Sequence, residues 1–185
     1  MTSHMLRSIV LLAGAFLYGT AAYGDNVIWN EGTAGDLSNI SSAPTPLTVS
    51  FGDNDVFGTT GKDATTGNID RDYFTFTVPQ GGYLTAITVL PGTTTLGAMG
   101  ASFIGVESGP QVTALTSATE LLGWDHYTTD DIGVNILPLI GMGAGAIDFT
   151  GPLPAGQYSF WVQEASVGSV NYGFDFTIAT PEPAS

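Results

Sequence analysis

Apolar and polar side chains alternate with a period of two along much of this chain, the signature of strands that bury one face. The pattern is clearest at 72–78, where Phe74, Phe76 and Val78 fall on one side and Tyr73, Thr75 and Thr77 on the other. It resumes at 83–90 after Pro79-Gln80-Gly81-Gly82, which predicts a hairpin. Further strands are predicted at 27–29, 47–51, 56–57, 101–106, 121–124, 157–163 and 170–178. In the last of these Tyr172, Phe174, Phe176 and Ile178 share a face. Residues 58–68, rich in Gly and Thr, read as a loop, and 132–146 is apolar and Gly-rich without a clean period. Many short strands separated by frequent turns predict an all-β fold, a two-sheet antiparallel β-sandwich or jelly roll over residues 47–179. Residues 25–46, with turn chemistry rather than periodicity, are expected to form a lead-in lying across it.

Residues 1–24 do not belong to that domain. Arg7, the apolar run 9–17 and the small residues at 21–24 have the layout of a secretory signal, with cleavage expected after Ala22 or Gly24. The apolar run is shorter than the roughly 20 residues that span a bilayer. The expectation is export by the Sec route to the cell surface or the medium, with no membrane-spanning segment left in the mature chain.

Composition sharpens the picture. Only 11% of residues are charged, which suits strands with uncharged polar faces better than helices. Seventeen acidic residues stand against three basic ones, Arg7, Lys62 and Arg71, for a net charge of −14. Nucleic acids and anionic lipid surfaces need clusters of Lys and Arg, so neither is expected as a partner. The acidity favours cations instead, calcium above all outside the cell. There is no cysteine, which removes disulfides, thiolate metal sites and Cys nucleophiles from consideration.

Two groups of residues carry candidate chemistry. Asp53, Asp55, Asp63, Asp70 and Asp72, interleaved with Gly, Asn54 and Asn68, offer the oxygen ligands that calcium requires, with Asp36 or Asn39 able to add one from the lead-in. The spacing is not that of an EF-hand, and Asp and Asn are also ordinary turn formers. Trp124 and Tyr127, beside a predicted strand end, are candidates for stacking on a sugar ring, and Trp29 and Trp161 are the other tryptophans. Catalysis has less to draw on. His126 is the one histidine beyond the leader, its neighbour Asp125 would point to the opposite face of a strand, and no Gly-x-Ser-x-Gly elbow is present. The pair of carboxylates that a glycoside hydrolase uses can be drawn from any acidic chain.

Two resemblances extend this reading. Asp70-Arg71-Asp72-Tyr73-Phe74-Thr75-Phe76-Thr77-Val78-Pro79, followed by a Gly turn and a strand, resembles the core signature of bacterial pre-peptidase C-terminal domains. That likeness covers roughly residues 47–90 and implies a non-catalytic sandwich of a secreted protein, of a kind that in some members binds matrix polymers or calcium. Pro181-Glu182-Pro183-Ala184-Ser185 resembles the opening of the PEP-CTERM sorting signal read by exosortases. The string at 35–39 and those at 102–106, 121–124 and 149–161 look like segments of exported PEP-CTERM proteins. The apolar helix and basic cluster that complete the signal do not follow within the sequence, so residues 180–185 are read as the start of a sorting tail or a vestige of one. The resemblance implies a structural or interaction protein of the extracellular matrix, associated with exopolysaccharide and not an enzyme. A carbohydrate-binding module is the alternative, and a secreted glycoside hydrolase a lesser one.

Overall fold

The computed structural model describes residues 26–96 and 100–180, so the expected leader and almost all of the sorting tail lie outside the described residues. Eight strands follow one another: β1 (Val27–Asn30), β2 (Thr45–Pro46), β3 (Asp55–Lys62), β4 (Ile69–Val89), β5 (Ala101–Ser108), β6 (Gly123–Thr128), β7 (Leu153–Gln163) and β8 (Gly168–Ala179). They join in the order β1-β3-β8-β4-β7-β5-β6, with β2 beside β4. The short pairs β1–β3 and β2–β4 are parallel and the others antiparallel. The all-β expectation holds. Where two separate sheets were expected, the strands form one curled mixed sheet.

The reason is β4. Its first half, from Arg71 to Val78, pairs with β7, and its second half, from Tyr83 to Val89, pairs with β8. The hairpin predicted at Pro79-Gln80-Gly81-Gly82 is therefore not formed, because the two halves never pair with each other. The extra residues are absorbed as a bulge between Val78 and Tyr83, where Gly81 adopts a φ of 76°. Such a bulge bends a strand without reversing it. One long bent strand thus belongs to both halves of the sheet and brings them face to face.

Between those halves lie the side chains that the alternation placed inward. Phe74, Phe76 and Val78 of β4, Phe160 and Val162 of β7, and Phe174, Phe176 and Ile178 of β8 are all buried. Phe160 stacks on Phe74 and Phe76 at centroid distances of 5.2 and 4.8 Å and meets Phe176 edge-on at 5.0 Å. Offset and edge-to-face contacts of this kind add to simple area burial. Residues 132–146, which had no clear period, contribute Ile136, Leu137 and Ile140 to the same core through a helical turn (Leu137–Ile140) packed on β4, β5 and β6.

Two further expectations are corrected. Residues 47–51 do not form a strand. Leu47 is buried and donates its N–H to the Thr75 carbonyl, but the ladder beside β4 is limited to Thr45 and Pro46. The predicted loop at 58–68 begins only after Lys62, since Gly58 to Gly61 continue β3 against β8. Composition misled there because Gly58 and Gly61 are packing positions. A Cβ at Gly58 would strike the Tyr172 hydroxyl and one at Gly61 the Gly168 carbonyl. The lead-in is part of the domain, with β1 on β3, Ser38 bridged to Tyr73, and Leu37 in the core. No helix among the described residues is long and apolar enough to cross a membrane.

Truncating Phe160 to Ala removes the ring that touches three others, and the expected loss is about 3–5 kcal/mol in urea unfolding. Met142→Ala, at a residue 65% exposed, should stay within about 0.5 kcal/mol of the parent. A Phe160→Ala cost no larger than that of Met142→Ala would show that the ring stack does not hold the sheet halves together.

Candidate functional site

The inward face of β4 does not end at Phe74. Asp72 has the same parity, so the alternation that buries the phenylalanines also draws a carboxylate inside. Asp72 is fully buried and neither of its oxygens has a hydrogen-bond partner. The Tyr172 hydroxyl, on the inward face of β8, is likewise buried and unpartnered. A buried polar group without a partner is costly, and two adjoining ones mark a place built around something polar.

Two further carboxylates converge on Asp72. Glu31 lies in a single helical turn (Glu31–Ala34) whose Asn30 cap accepts the Gly32 N–H at 2.9 Å. Its own oxygens accept the Leu37 N–H at 3.0 Å, the Thr59 N–H at 2.7 Å and the Thr59 hydroxyl at 3.1 Å, which tie the lead-in to β3. Asp36, exposed, closes the group, and one oxygen from each of Glu31, Asp36 and Asp72 lies within 4.8 Å of the others. Two oxygens on opposite sides of a calcium ion stand about twice 2.3–2.6 Å apart, so this spacing is that of one coordination shell. The triad, graded from buried to exposed, can hold a metal ion.

Electrostatics follows from the same geometry. Burial, with Glu31 and to a lesser degree Asp70 and Asp36 adding negative charge, pushes Asp72 up to about 9. The nearby Tyr172 hydroxyl acts the other way without reaching ordinary hydrogen-bond geometry. Burial also raises Glu31, against the three hydrogen bonds that favour its charged form. At neutral pH and without a cation, Asp72 therefore keeps its proton. A bound cation supplies the missing charge and displaces it.

The five aspartates singled out from the sequence are dispersed. Asp72 is at the centre of the triad and Asp70 is close by, its carboxylate accepting from Asn39 Nδ2 at 3.0 Å. Asp63 lies in an exposed turn, accepting from the N–H groups of Thr65 and Thr66 and from the Thr66 hydroxyl, and those bonds hold it below the usual carboxylate range. Asp55 opens β3 opposite Asp175, and Asp53 precedes it in the connecting bend. Neither Asp53, Asp55 nor Asp63 belongs to the group that converges on Asp72. Glu31 was missed by the sequence reading because nothing in the polar lead-in shows that its helical turn folds back on β3.

A second feature occupies the outer face of the sheet. Trp161 of β7 lies 5.8 Å from Tyr73 of β4 and 4.8 Å from Phe103 of β5, and Phe103 lies 6.0 Å from Trp124 of β6. Gly105, in register with both Trp161 and Trp124, leaves the room in which Phe103 lies between them. Trp124 is half-buried, its indole N–H bonded to the Ala144 carbonyl at 3.1 Å, and His126 beside it is exposed. Tyr127, expected to stack on a sugar, is instead fully buried with its ring edge-on to Phe174 at 5.0 Å. Parity decides this correction, since Trp124 and His126 face outward on β6 while Tyr127 faces inward. Trp161, half-buried with its indole nitrogen enclosed, takes its place in the partly open row.

No protein-family model matches this chain, and no curated protein or solved structure matches it closely. The resemblances drawn from short strings remain expectations, and the functional reading rests on the site itself.

The Asp72 environment gives a pH dependence of definite sign. Its folded value of about 9 lies above the unfolded value of about 3.9, so the folded state binds the extra proton. Measured in chelator, the stability that Asp72 contributes relative to Asp72→Asn should be complete below about pH 4 and fall as pH rises toward 9. Parallel stability curves for the two proteins across that range would mean that Asp72 ionises normally.

Proposed function

We propose that this chain is an exported, non-catalytic β-domain of the bacterial extracellular matrix, similar to PEP-CTERM proteins, that associates with exopolysaccharide through its outer face. The observation that carries this reading is the row Trp161, Phe103, Trp124 and His126, aromatic side chains held partly open to solvent on a sheet. Half-open aromatic faces on a rigid sheet suit sugar rings, whose C–H faces stack on them while hydroxyls bond at the edges. The charge balance supports the same choice by disfavouring nucleic acid and anionic membranes. The signal-like residues 1–24 support export, and the string at 181–185 supports sorting to the cell surface.

In this reading the acidic triad takes calcium and acts as a staple. A single ion joins Asp72 of the sheet to Glu31 and Asp36 of the lead-in, two segments far apart in the chain. Calcium suits the group better than magnesium, because it accepts several carboxylate and carbonyl oxygens in irregular geometry and gives up its waters readily.

Two measurements test these assignments. Purified protein mixed with matrix polysaccharide should sediment with it, and Trp124→Ala should reduce the bound fraction severalfold below its melting temperature, which falls with the packing and the Ala144 hydrogen bond that the ring makes. Failure of the parent protein to sediment would refute the matrix assignment, and hydrolysis of the polysaccharide would refute the non-catalytic one. Calcium at a hundredfold excess over its Kd should add about 2.7 kcal/mol, or roughly 5–10 °C in melting temperature for a domain of this size. EDTA should reverse the gain and Asp72→Asn abolish it, whereas indifference to both would exclude the staple.

A further inference from the structure

The described residues contain two basic side chains, Lys62 and Arg71, in a chain of net charge −14. Both line one cleft of about 890 Å³ beside the ends of β3 and β4. Scattered at random they would pair with the surrounding carboxylates, yet neither forms an ion pair among the described residues. The two acids that also line the cleft are hydrogen-bonded, Asp63 within its own turn and Asp70 to Asn39, and formally balance its two cations. Arg71 is positioned by its Nε, which donates to Gln163 Oε1 at 3.1 Å, and by its cross-strand register with Gln163. That bond uses one of the five guanidinium N–H groups, and the Ile69 carbonyl lies at 3.5 Å from Nη1.

Arg71 also lines a second hollow of about 440 Å³, whose walls include Tyr73, Trp161 and Gln163. These four form a square on the outer face, because Arg71 pairs with Gln163 and Tyr73 with Trp161 in the β4–β7 ladder. Arg71 and Trp161 are diagonal in that square, about 7–8 Å apart at the backbone. A long, flexible Arg71 side chain spans such a diagonal, so a carboxylate carried by a ring stacked on Trp161 is within its reach. Trp161 and Leu115 are shared with a third hollow that reaches Trp124 and His126, so the cleft, the square and the aromatic row lie side by side along this face.

We propose that this face binds an acidic polysaccharide of the uronic acid class, with a carboxylate at Arg71 and Lys62 and successive rings along Trp161 and Trp124. The inference rests on the matrix reading above and specifies the ligand of the same face. Elsewhere an acidic chain would be repelled by this protein. Here Arg71 meets it beside Trp161, in a hollow whose walls carry no carboxylate, and the planar fork of Arg71 matches a carboxylate.

The test is calorimetric titration of the full chain, in calcium-containing buffer, with tetragalacturonate and with the neutral tetramer cellotetraose. The uronate should bind at least about tenfold more tightly, more weakly as salt rises, and Arg71→Gln should remove most of the difference. Lys62→Gln, at a half-buried position in the cleft wall, should weaken uronate binding severalfold and carries the same test if Arg71→Gln melts early. Equal affinity for the two tetramers, or insensitivity of uronate binding to both substitutions, overturns the inference. Sedimentation with matrix polysaccharide separates the two failures. A protein that sediments but ignores the uronate loses this inference and keeps the matrix assignment, and one that does neither loses both.

Discussion

The packing of Phe74, Phe76, Phe160 and Phe176 against one another is the constraint from which the other features follow. These rings come from three strands, β4, β7 and β8, and they meet because β4 bends at its bulge and carries the sheet around on itself. Each buried ring contributes on the order of 1.5–3 kcal/mol by removal from water. With no cysteine available, that contribution has no covalent substitute. The bulge and the ring stack depend on each other. Without the bend the rings of β8 would not reach those of β7, and without the rings nothing would hold the bend closed.

The same parity that orders the core also draws a carboxylate into it. Asp72 is two residues from Phe74 and faces the same way, so a strand that buries its phenylalanines buries its aspartate. The cost is moderated by protonation, and by the gathering of Glu31 and Asp36 into a group that a cation can neutralise. Glu31 is simultaneously hydrogen-bonded to Thr59 of β3 and to Leu37 of the lead-in. The acidic group and the attachment of the lead-in are therefore one structure.

The outer face has the complementary character. Its aromatic row is half-open where the inner one is sealed, and its polar groups come from the β4–β7 ladder that supports the core rings underneath. Core packing on one side of the sheet fixes the spacing of side chains on the other. The stacking of Phe103 over Gly105 shows how narrow the tolerance is, since a Cβ at position 105 would lie 3.0 Å from the Phe103 ring.

The sequence by itself determined the all-β class, the inward sets Phe74–Phe76–Val78 and Tyr172–Phe174–Phe176–Ile178, the acidic character of the chain and the separation of Asp125 from His126. All of these depend on periodicity or composition, which are local. It also made Trp124 a candidate platform and Asp72 a candidate ligand, because residue type alone suggested the chemistry. What local patterns could not decide was which partner each strand would take. Pro79-Gln80-Gly81-Gly82 has the composition of a hairpin turn, and only the competing pairings with β7 and β8 make it a bulge. Tyr127 is inward because β6 pairs with β5 in a register that turns Trp124 out. The meeting of Glu31 with Asp72, and of Arg71 with Gln163, spans 41 and 92 positions of sequence respectively. Contacts at that separation are set by the curl of the whole sheet, and they belong to the tertiary structure alone.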